Sequence, residues 1–114
     1  MPQTLEIVTF RLREGHEAGF LAANIEINDW LARQPGFVSR HLSYRKSGNW
    51  WVDTVLWENR AAAWQAAEKM MREIGETPAL RAIDPASIDM SHADVAIVHR
   101  AAERLPAPAN DAAA

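Results

Sequence analysis

Hydrophobic and polar residues alternate in four segments of the chain, and in two others apolar residues recur every three or four positions. Alternation that includes β-branched and aromatic residues is typical of strands. The predicted strands are Leu5–Arg13, Phe37–Arg45, Trp50–Trp57 and Ile88–Val98. Spacing of three and four residues is typical of helices. The predicted helices run from about Glu17 to Gln34 and from Arg60 to Ile74.

The residues between these segments favour turns and helix ends. The Pro35–Gly36 pair predicts the end of the first helix. Gly48 lies in a hairpin turn where a positive φ is expected. Asn59 is a predicted N-cap of the second helix, and Gly75 suits the C′ position that follows it. A short helical turn is expected over Thr77–Ile83.

Each predicted helix has one apolar side. In the first helix this side comprises Phe20, Ala23, Ile27, Trp30 and Leu31, and in the second it comprises Trp64, Ala67, Met70, Met71 and Ile74. Asn24 falls inside the first stripe, so a buried amide is expected there, either as a structural group or as one that orients a pocket side chain.

The element order β-α-β-β-α-β predicts an α+β, ferredoxin-like domain with an antiparallel four-stranded sheet. Two helices can cover only one face of such a sheet. On the third strand, however, both sides are apolar: Val52 and Leu56 alternate with Val55 and Trp57. An exposed apolar face of that size is unfavourable. We therefore expect a homodimer in which two sheets pack face to face.

Composition narrows the class of protein. The 114 residues fit a single domain, predicted over residues 1–100, with a disordered tail over 101–114 that is rich in Pro and Ala. A formal net charge of −3 argues against nucleic acid as a partner. No apolar run is long enough for a membrane span, and no leader pattern begins the chain, so a cytoplasmic location is expected. The absence of cysteine excludes disulfides and thiolate chemistry.

Four sequence segments together resemble the antibiotic biosynthesis monooxygenase superfamily, in its uncharacterised bacterial branch. They are EIVTFRL, PGFVSRHL, WVDTVLWENRAAAWQAAEKM and IDPASIDMSHADV, and the resemblance covers about residues 5–98. It implies a dimeric α/β barrel. The superfamily includes cofactor-free oxygenases and haem-degrading enzymes, so the fold does not fix the chemistry.

Two departures from the family pattern bear on the cofactor. The haem-degrading members use an Asn on the first strand together with a Trp and a His near the second helix. Here the first strand has no Asn, and the helix Arg60–Ile74 has no His. We therefore expect no haem and no other cofactor. Mechanisms that use a His on the second helix do not carry over either.

Asp53 is the most unusual residue of the third strand because it interrupts an apolar run, on the side of Trp51 and Trp57. A carboxylate beside an apolar pocket can act as a general base or can anchor a cation. The alternative is a structural ion pair with Arg40 on the neighbouring strand or with Arg11 on the first.

His92 lies within the last predicted strand, on the side of Met90. It is a candidate base for a proton from a bound phenol or polyketide-like ring, and the alternative is a structural hydrogen bond. His41 on the second strand is a similar candidate that would contact substrate. A metal site built from His41, His92 and Asp53 is conceivable. No spacing motif supports it, so no metal is expected.

The chain has five Trp against one Tyr and three Phe. Trp51, Trp57 and Trp64 are candidates for an aromatic box that holds a flat ligand, with Met90 as a further pocket residue. The alternative is that these Trp residues pack in the core.

Two functions remain open. The first is a cofactor-independent monooxygenase for a small aromatic or polyketide-like substrate, with His92 as base and Asp53 as its orienter. The second is a non-catalytic dimeric barrel that binds a small hydrophobic metabolite. An isomerase on the same scaffold is a third alternative. The first two differ in whether His92 and Asp53 meet at an open cavity or are engaged in internal pairs.

Overall fold

A computed structural model describes residues 2–102, so most of the predicted tail lies outside the described residues. The strands are β1 (Thr4–Phe10), β2 (Phe37–Arg45), β3 (Trp50–Trp57) and β4 (Asp89–Asp94). They form one sheet in the order β2-β3-β1-β4, and all neighbours are antiparallel. The helices are α1 (Phe20–Ala32), α2 (Arg60–Ile74) and the short α3 (Pro78–Arg81), and a 3-10 turn spans Pro85–Ser87. The ferredoxin-like order is confirmed.

The register of the sheet decides which side chains face the helices. Glu6 on β1 lies opposite Val55 on β3 and His92 on β4. Directly opposed residues project from the same face of a sheet. The buried core lies on this helix-covered face and includes Phe10, Phe20, Ile27, Trp30, Leu31, Val55, Trp57, Ala62, Ala63 and Ala66.

The two strands of the hairpin, β2 and β3, have the predicted bounds, but β1 and β4 are shorter than predicted. After Phe10 the chain leaves the sheet, because the backbone N–H of Arg11 donates to Ser87 Oγ at 2.8 Å and Leu12 pairs with Ile83. Strand β4 ends at Asp94, which lies opposite Thr4, the first residue of β1. One further backbone hydrogen bond follows, from the Val95 N–H to the Gln3 carbonyl at 2.8 Å, and residues 95–102 are not part of a strand.

The predicted apolar side of α2 is wrong for three residues, because Trp64, Ala67 and Met71 are exposed. Trp64 is 52% exposed and Met71 is 68% exposed, whereas the side turned to the sheet is made of Ala62, Ala63 and Ala66. Small side chains let the helix approach closely. At Gly36, with φ of +82°, an added Cβ would lie 2.5 Å from the Cβ of Ala62. This contact fixes the rotation of α2 about its axis.

Helix ends follow the predicted residues with two differences. The side chain of Asn59 accepts a hydrogen bond from the N–H of Ala62 at 2.8 Å, which confirms the N-cap. The positive φ of Gly48 is also confirmed, at +81°. Helix α1 begins at Phe20 instead of Glu17, because Gly19 has a left-handed backbone. Gly75 ends α2 as a right-handed C-cap with φ of −59°, not at C′.

None of the helices within the described residues covers the other face of the sheet. Its side chains include Ile7, Trp50, Val52 and Leu56, and each is half-buried by its neighbours within the sheet. No helix within residues 2–102 is both long and apolar enough to cross a membrane.

Candidate active site

A cavity of about 270 Å³ lies between the sheet and the helices. Most of its wall is apolar and comes from β1, β3 and the three helices, with Val8, Phe10, Phe20, Ile27, Leu31, Val55, Trp57, Ala66, Met70, Ala79, Leu80 and Met90 among the lining residues. The polar groups of the wall are concentrated in four side chains, namely Glu6, Asn24, Arg40 and Asp53. An apolar cavity with a few convergent polar groups is the usual form of a small-molecule site.

Asp53 forms an ion pair with Arg40 on the neighbouring strand. The Arg40 Nε lies 3.0 Å and 3.3 Å from the two carboxylate oxygens, and Nη2 lies 2.8 Å from Oδ2. The side chains are only 8% and 17% exposed. Bidentate geometry of this kind is the strong form of an Arg–carboxylate pair. Arg11, the other candidate partner, instead places its guanidinium over the Trp50 ring at 4.4 Å.

Two amides from α1 complete the surroundings of Arg40. Its Nη1 donates to Asn28 Oδ1 and its Nη2 donates to Asn24 Oδ1, both at 2.8 Å. The Asn24 amide in turn donates to the Phe20 carbonyl at 2.8 Å, so the amide within the apolar stripe orients a pocket residue. Arg has five N–H donors. Contacts with the described residues engage the Nε, both Nη2 hydrogens and one Nη1 hydrogen, which leaves one Nη1 donor.

Glu6 and His92 form a second pair on the same face of the sheet. The His92 Nε2 lies 3.0 Å from Glu6 Oε2, and the side chains are 11% and 8% exposed, respectively. Burial raises the pKa of the Glu6 carboxyl above its usual 4.5, and the charge of Asp53 adds to that rise. The hydrogen bond and charge of His92 oppose it. The result is a carboxyl group that holds its proton more tightly than an exposed one does.

Two Trp side chains border this pair. Trp64 on α2 packs edge-on against the His92 ring, with 4.3 Å between ring centroids. The buried indole N–H of Trp57 acts to lower the pKa of Glu6, yet it makes no hydrogen bond of standard geometry with any described residue. Glu6 is thus held between an imidazole and an incompletely paired donor.

Solved structures of other proteins share this architecture. The cofactor-independent oxygenase SnoaB from Streptomyces nogalater is 21% identical and matches with a TM-score of 0.61 over 90% of this chain and all of its own. The haem-degrader MhuD from Mycobacterium tuberculosis is 13% identical, with a TM-score of 0.69 over 85% of this chain and 99% of its own. A proposed antibiotic biosynthesis monooxygenase from Caulobacter crescentus is 12% identical, with a TM-score of 0.67 over 84% of this chain and 92% of its own.

The chain has the fold of the antibiotic biosynthesis monooxygenases. No family model matches the sequence, and no curated protein matches it. Because the solved structures are distant in sequence, the likeness defines a monooxygenase-like fold and leaves the reaction to be argued from the site of this chain.

Within this monooxygenase-like fold, the residues singled out from sequence divide into two groups. Asp53, Trp57 and Met90 line the cavity. His92 does not line it, although its partner Glu6 does. His41 is exposed on the opposite face of the sheet.

The other two candidate pocket residues also lie away from the cavity wall. Trp51 packs against Phe20 and Tyr44, with centroid distances of 4.9 Å to each, and Trp64 covers His92. The predicted aromatic box is therefore wrong as a cavity lining: of its three Trp residues, only Trp57 lines the cavity.

Glu6 was missed by the sequence-based reasoning. The signal was present, because Glu6 alternates with Val8 and Phe10 and so falls on the apolar side of β1. This is the same pattern that singled out Asp53 on β3.

Two cofactor classes that the fold could accommodate do not suit the residues present. His41 is separated from His92 and Asp53 by the sheet, and no group of three or more potential metal ligands occurs within residues 2–102. Haem would need an axial ligand, commonly His. No described residue that lines the cavity is a His, and the carboxylates of Glu6 and Asp53 would oppose the haem propionates. We therefore derive no step through a metal or haem.

Proposed function

We propose that this protein is a cofactor-independent monooxygenase for a small aromatic or polyketide-like substrate, with Glu6 as the catalytic base. The observation that carries the proposal is a buried carboxyl group of raised pKa that lines an apolar cavity. A base of this kind suits abstraction of a proton from a weakly acidic C–H group. SnoaB, which is described as a cofactor-independent oxygenase, has the same fold.

In the first step, Glu6 removes a proton from an activated methylene such as the CH₂ of an anthrone. The electron pair moves into the ring system and forms an enolate. The remaining Nη1 hydrogen of Arg40 donates to the enolate oxygen, because Arg40 is the cationic group of the cavity wall. His92 holds the Glu6 carboxylate in place through its hydrogen bond and is a positioning residue.

In the second step, the electron-rich enolate carbon reduces O₂ and forms a C–O bond, which gives a peroxide anion. Glu6 returns its proton to the distal peroxide oxygen. Loss of the second C–H proton then breaks the O–O bond and releases water, and the methylene carbon becomes a carbonyl. One oxygen atom enters the product and the other leaves as water, so the substrate CH₂ and O₂ account for all atoms and electrons.

Oxygen uptake with anthrone tests the proposal. The purified protein is expected to consume one O₂ per anthraquinone formed, at a rate above that of buffer and without release of H₂O₂. Anthrone that binds without oxygen consumption would reject the enzyme and favour the binding protein. Added metal chelator is expected to leave the rate unchanged.

We also propose that the protein is a homodimer that joins the two uncovered sheet faces. The half-buried apolar side chains of that face, such as Ile7 and Val52, support a second copy of the sheet as the occupant.

Trp51 and Trp57 point to the helices and are unsuitable probes of this interface. Light scattering is expected to give twice the monomer mass for the wild type and a smaller mass for Val52→Asp. The control is Ile25→Asp, a change at an exposed position on α1. A monomeric wild type at micromolar concentration would contradict the proposal.

A further inference from the structure

A surface depression of about 660 Å³ adjoins one end of the cavity. The two spaces share four wall residues, namely Met71, Leu80, Ile83 and Ile88. Met71 and Ile88 are 68% and 46% exposed although they are apolar. The depression is therefore the candidate mouth of the cavity, and the four shared residues form its apolar throat.

The outer wall of the mouth carries more positive than negative charge. Arg13 and Arg81 are its two permanent cations, and His16 adds a further hydrogen-bonding group. The only acidic side chain among its described lining residues is Glu76, which is 93% exposed and lies 3.8 Å from Arg81. Such an exposed pair is weak. Arg13 donates its Nε–H to the Arg81 carbonyl at 3.0 Å, which fixes the guanidinium at the rim. Within residues 2–102, no acceptor engages its terminal N–H groups.

The mouth and the acidic inner wall lie at different positions along the same strand. Glu6 precedes Phe10 by four residues on β1, which corresponds to about 13 Å at the usual rise of a strand. Leu12 follows and pairs with Ile83 of the throat. A ligand that reaches both regions must present an apolar ring system inside and a polar group at least one or two ring widths away.

We propose that the natural ligand is a planar aromatic or polyketide-like carboxylate, whose rings fill the cavity while its carboxylate lies between Arg13 and Arg81 at the mouth. The opposite orientation is unfavourable because a carboxylate inside would face Glu6 and Asp53, and Asp53 already balances the charge of Arg40. Guanidinium groups recognise carboxylates through paired N–H donors. This inference deepens the proposed function by naming the substrate class. Binding of the carboxylate at the mouth does not depend on the proposed reaction. Only the claim that this orientation serves the reaction rests on the proposed function.

Binding of 2-naphthoate and its neutral analogue 2-naphthamide tests the inference without turnover. Calorimetry or quenching of Trp fluorescence is expected to show that the wild type prefers the acid. The Arg13→Gln and Arg81→Gln variants are each expected to bind naphthoate roughly threefold to fivefold more weakly, as for a partly exposed ion pair, with naphthamide affinity unchanged. Arg13→Lys is expected to retain most of the affinity. Raising the salt concentration is expected to weaken the binding of naphthoate and to leave the binding of naphthamide unchanged.

The matched control is Arg33→Gln, which removes one positive charge from the far end of α1. Arg33 is the exposed C-cap of that helix and lines neither the cavity nor its mouth. The control is expected to bind both probes as the wild type does.

Equal affinity of the wild type for the two probes, failure of both to bind, or an equal effect of Arg33→Gln would each overturn the inference. A preference for the acid without any oxygen uptake would reject the proposed reaction and keep the carboxylate site. Turnover of neutral anthrone without a preference for the acid would reject the carboxylate site and keep the proposed reaction.

Discussion

Two buried pairs of charged or polar side chains lie on the helix-covered face of the same sheet, and they differ in how completely they are satisfied. In the Asp53–Arg40 pair, the carboxylate is held by two guanidinium nitrogens, and Asn24 and Asn28 take two further donors. In the Glu6–His92 pair there is one hydrogen bond between side chains, at 3.0 Å.

This difference assigns different tasks to the two pairs. The Asp53 carboxylate has both oxygens engaged by the Arg40 guanidinium, which is the geometry of a structural ion pair. A buried carboxylate with fewer partners has a raised pKa, as Glu6 does, and accepts protons more readily. We therefore propose that the Asp53 pair stabilises the sheet and shapes the inner wall, and that the Glu6 pair provides the reactive group.

Replacement of Glu6 with Gln gives the largest expected effect on activity. Removal of a positioned base typically lowers kcat/KM by ~10²–10⁴-fold. The same replacement is expected to increase the stability of the folded protein. A carboxyl group whose pKa is higher in the folded protein loses stabilising free energy as the pH rises above its unfolded value, and the loss persists at neutral pH. The variant should therefore melt at a higher temperature than the wild type at pH 7.

Calorimetry across pH checks this sign. The difference in melting temperature is expected to narrow as the pH falls below the ordinary pKa of 4.5, because both states of the wild type are then protonated. A Glu6→Gln protein that is fully active, or one that is less stable than the wild type at pH 7, would contradict the assignment of Glu6.

Replacement of Asp53 with Asn should mainly reduce stability. It leaves the Arg40 cation, 8% exposed, without its counter-charge, and breaking a buried pair in this way costs about 3–5 kcal/mol of unfolding free energy. Chemical denaturation measures this loss of unfolding free energy. The folded variant should lose less activity than Glu6→Gln does. Were Asp53→Asn to keep its stability and lose all activity, the two pairs would have exchanged roles.

A surface pair provides the control for this measurement. Asp94 lies 3.1 Å from Arg60, and both side chains are more than half exposed. Asp94→Asn removes the same charge in the same chemical form. Since exposed pairs contribute ~0–1 kcal/mol, the change in unfolding free energy should be much smaller.

The sequence indicated one pair and not the other because of chain distance. Asp53 and Arg40 lie on the two strands of one hairpin, whose short turn sets the register within a few residues. The sequence therefore indicated Arg40 as one of two candidate partners of Asp53, the other being Arg11 on β1. The contact between Glu6 and His92 joins residues 86 positions apart. It depends on where β4 begins against β1, and no local signal fixes that position.

A similar distinction between local and long-range contacts explains which parts of the fold were predicted correctly. The ends of β2 and β3 were predicted correctly because each strand limits the other across the hairpin. The rotation of α2 was not, since it is set by contact between Ala62 and Gly36 and not by the helix itself. Hydrophobic spacing favoured Trp64 as a buried residue, yet a small Ala surface allows closer packing than a large Trp does.

Replacement of His92 with Gln gives a smaller effect, and it separates a positioning role from a catalytic one. Gln retains a hydrogen-bond donor but cannot carry the positive charge that lowers the pKa of Glu6. The pKa of Glu6 should therefore rise further, and the fall of kcat/KM at low pH should begin at a higher pH than in the wild type. Well above that pH, Glu6 is deprotonated in both proteins, and most of the activity should return.

The control is His41→Gln, an exposed change on the opposite face of the sheet, which should leave the pH profile unchanged. A loss of ~10²–10⁴-fold at every pH, the size expected for removal of the base itself, would make His92 the catalytic residue instead of Glu6.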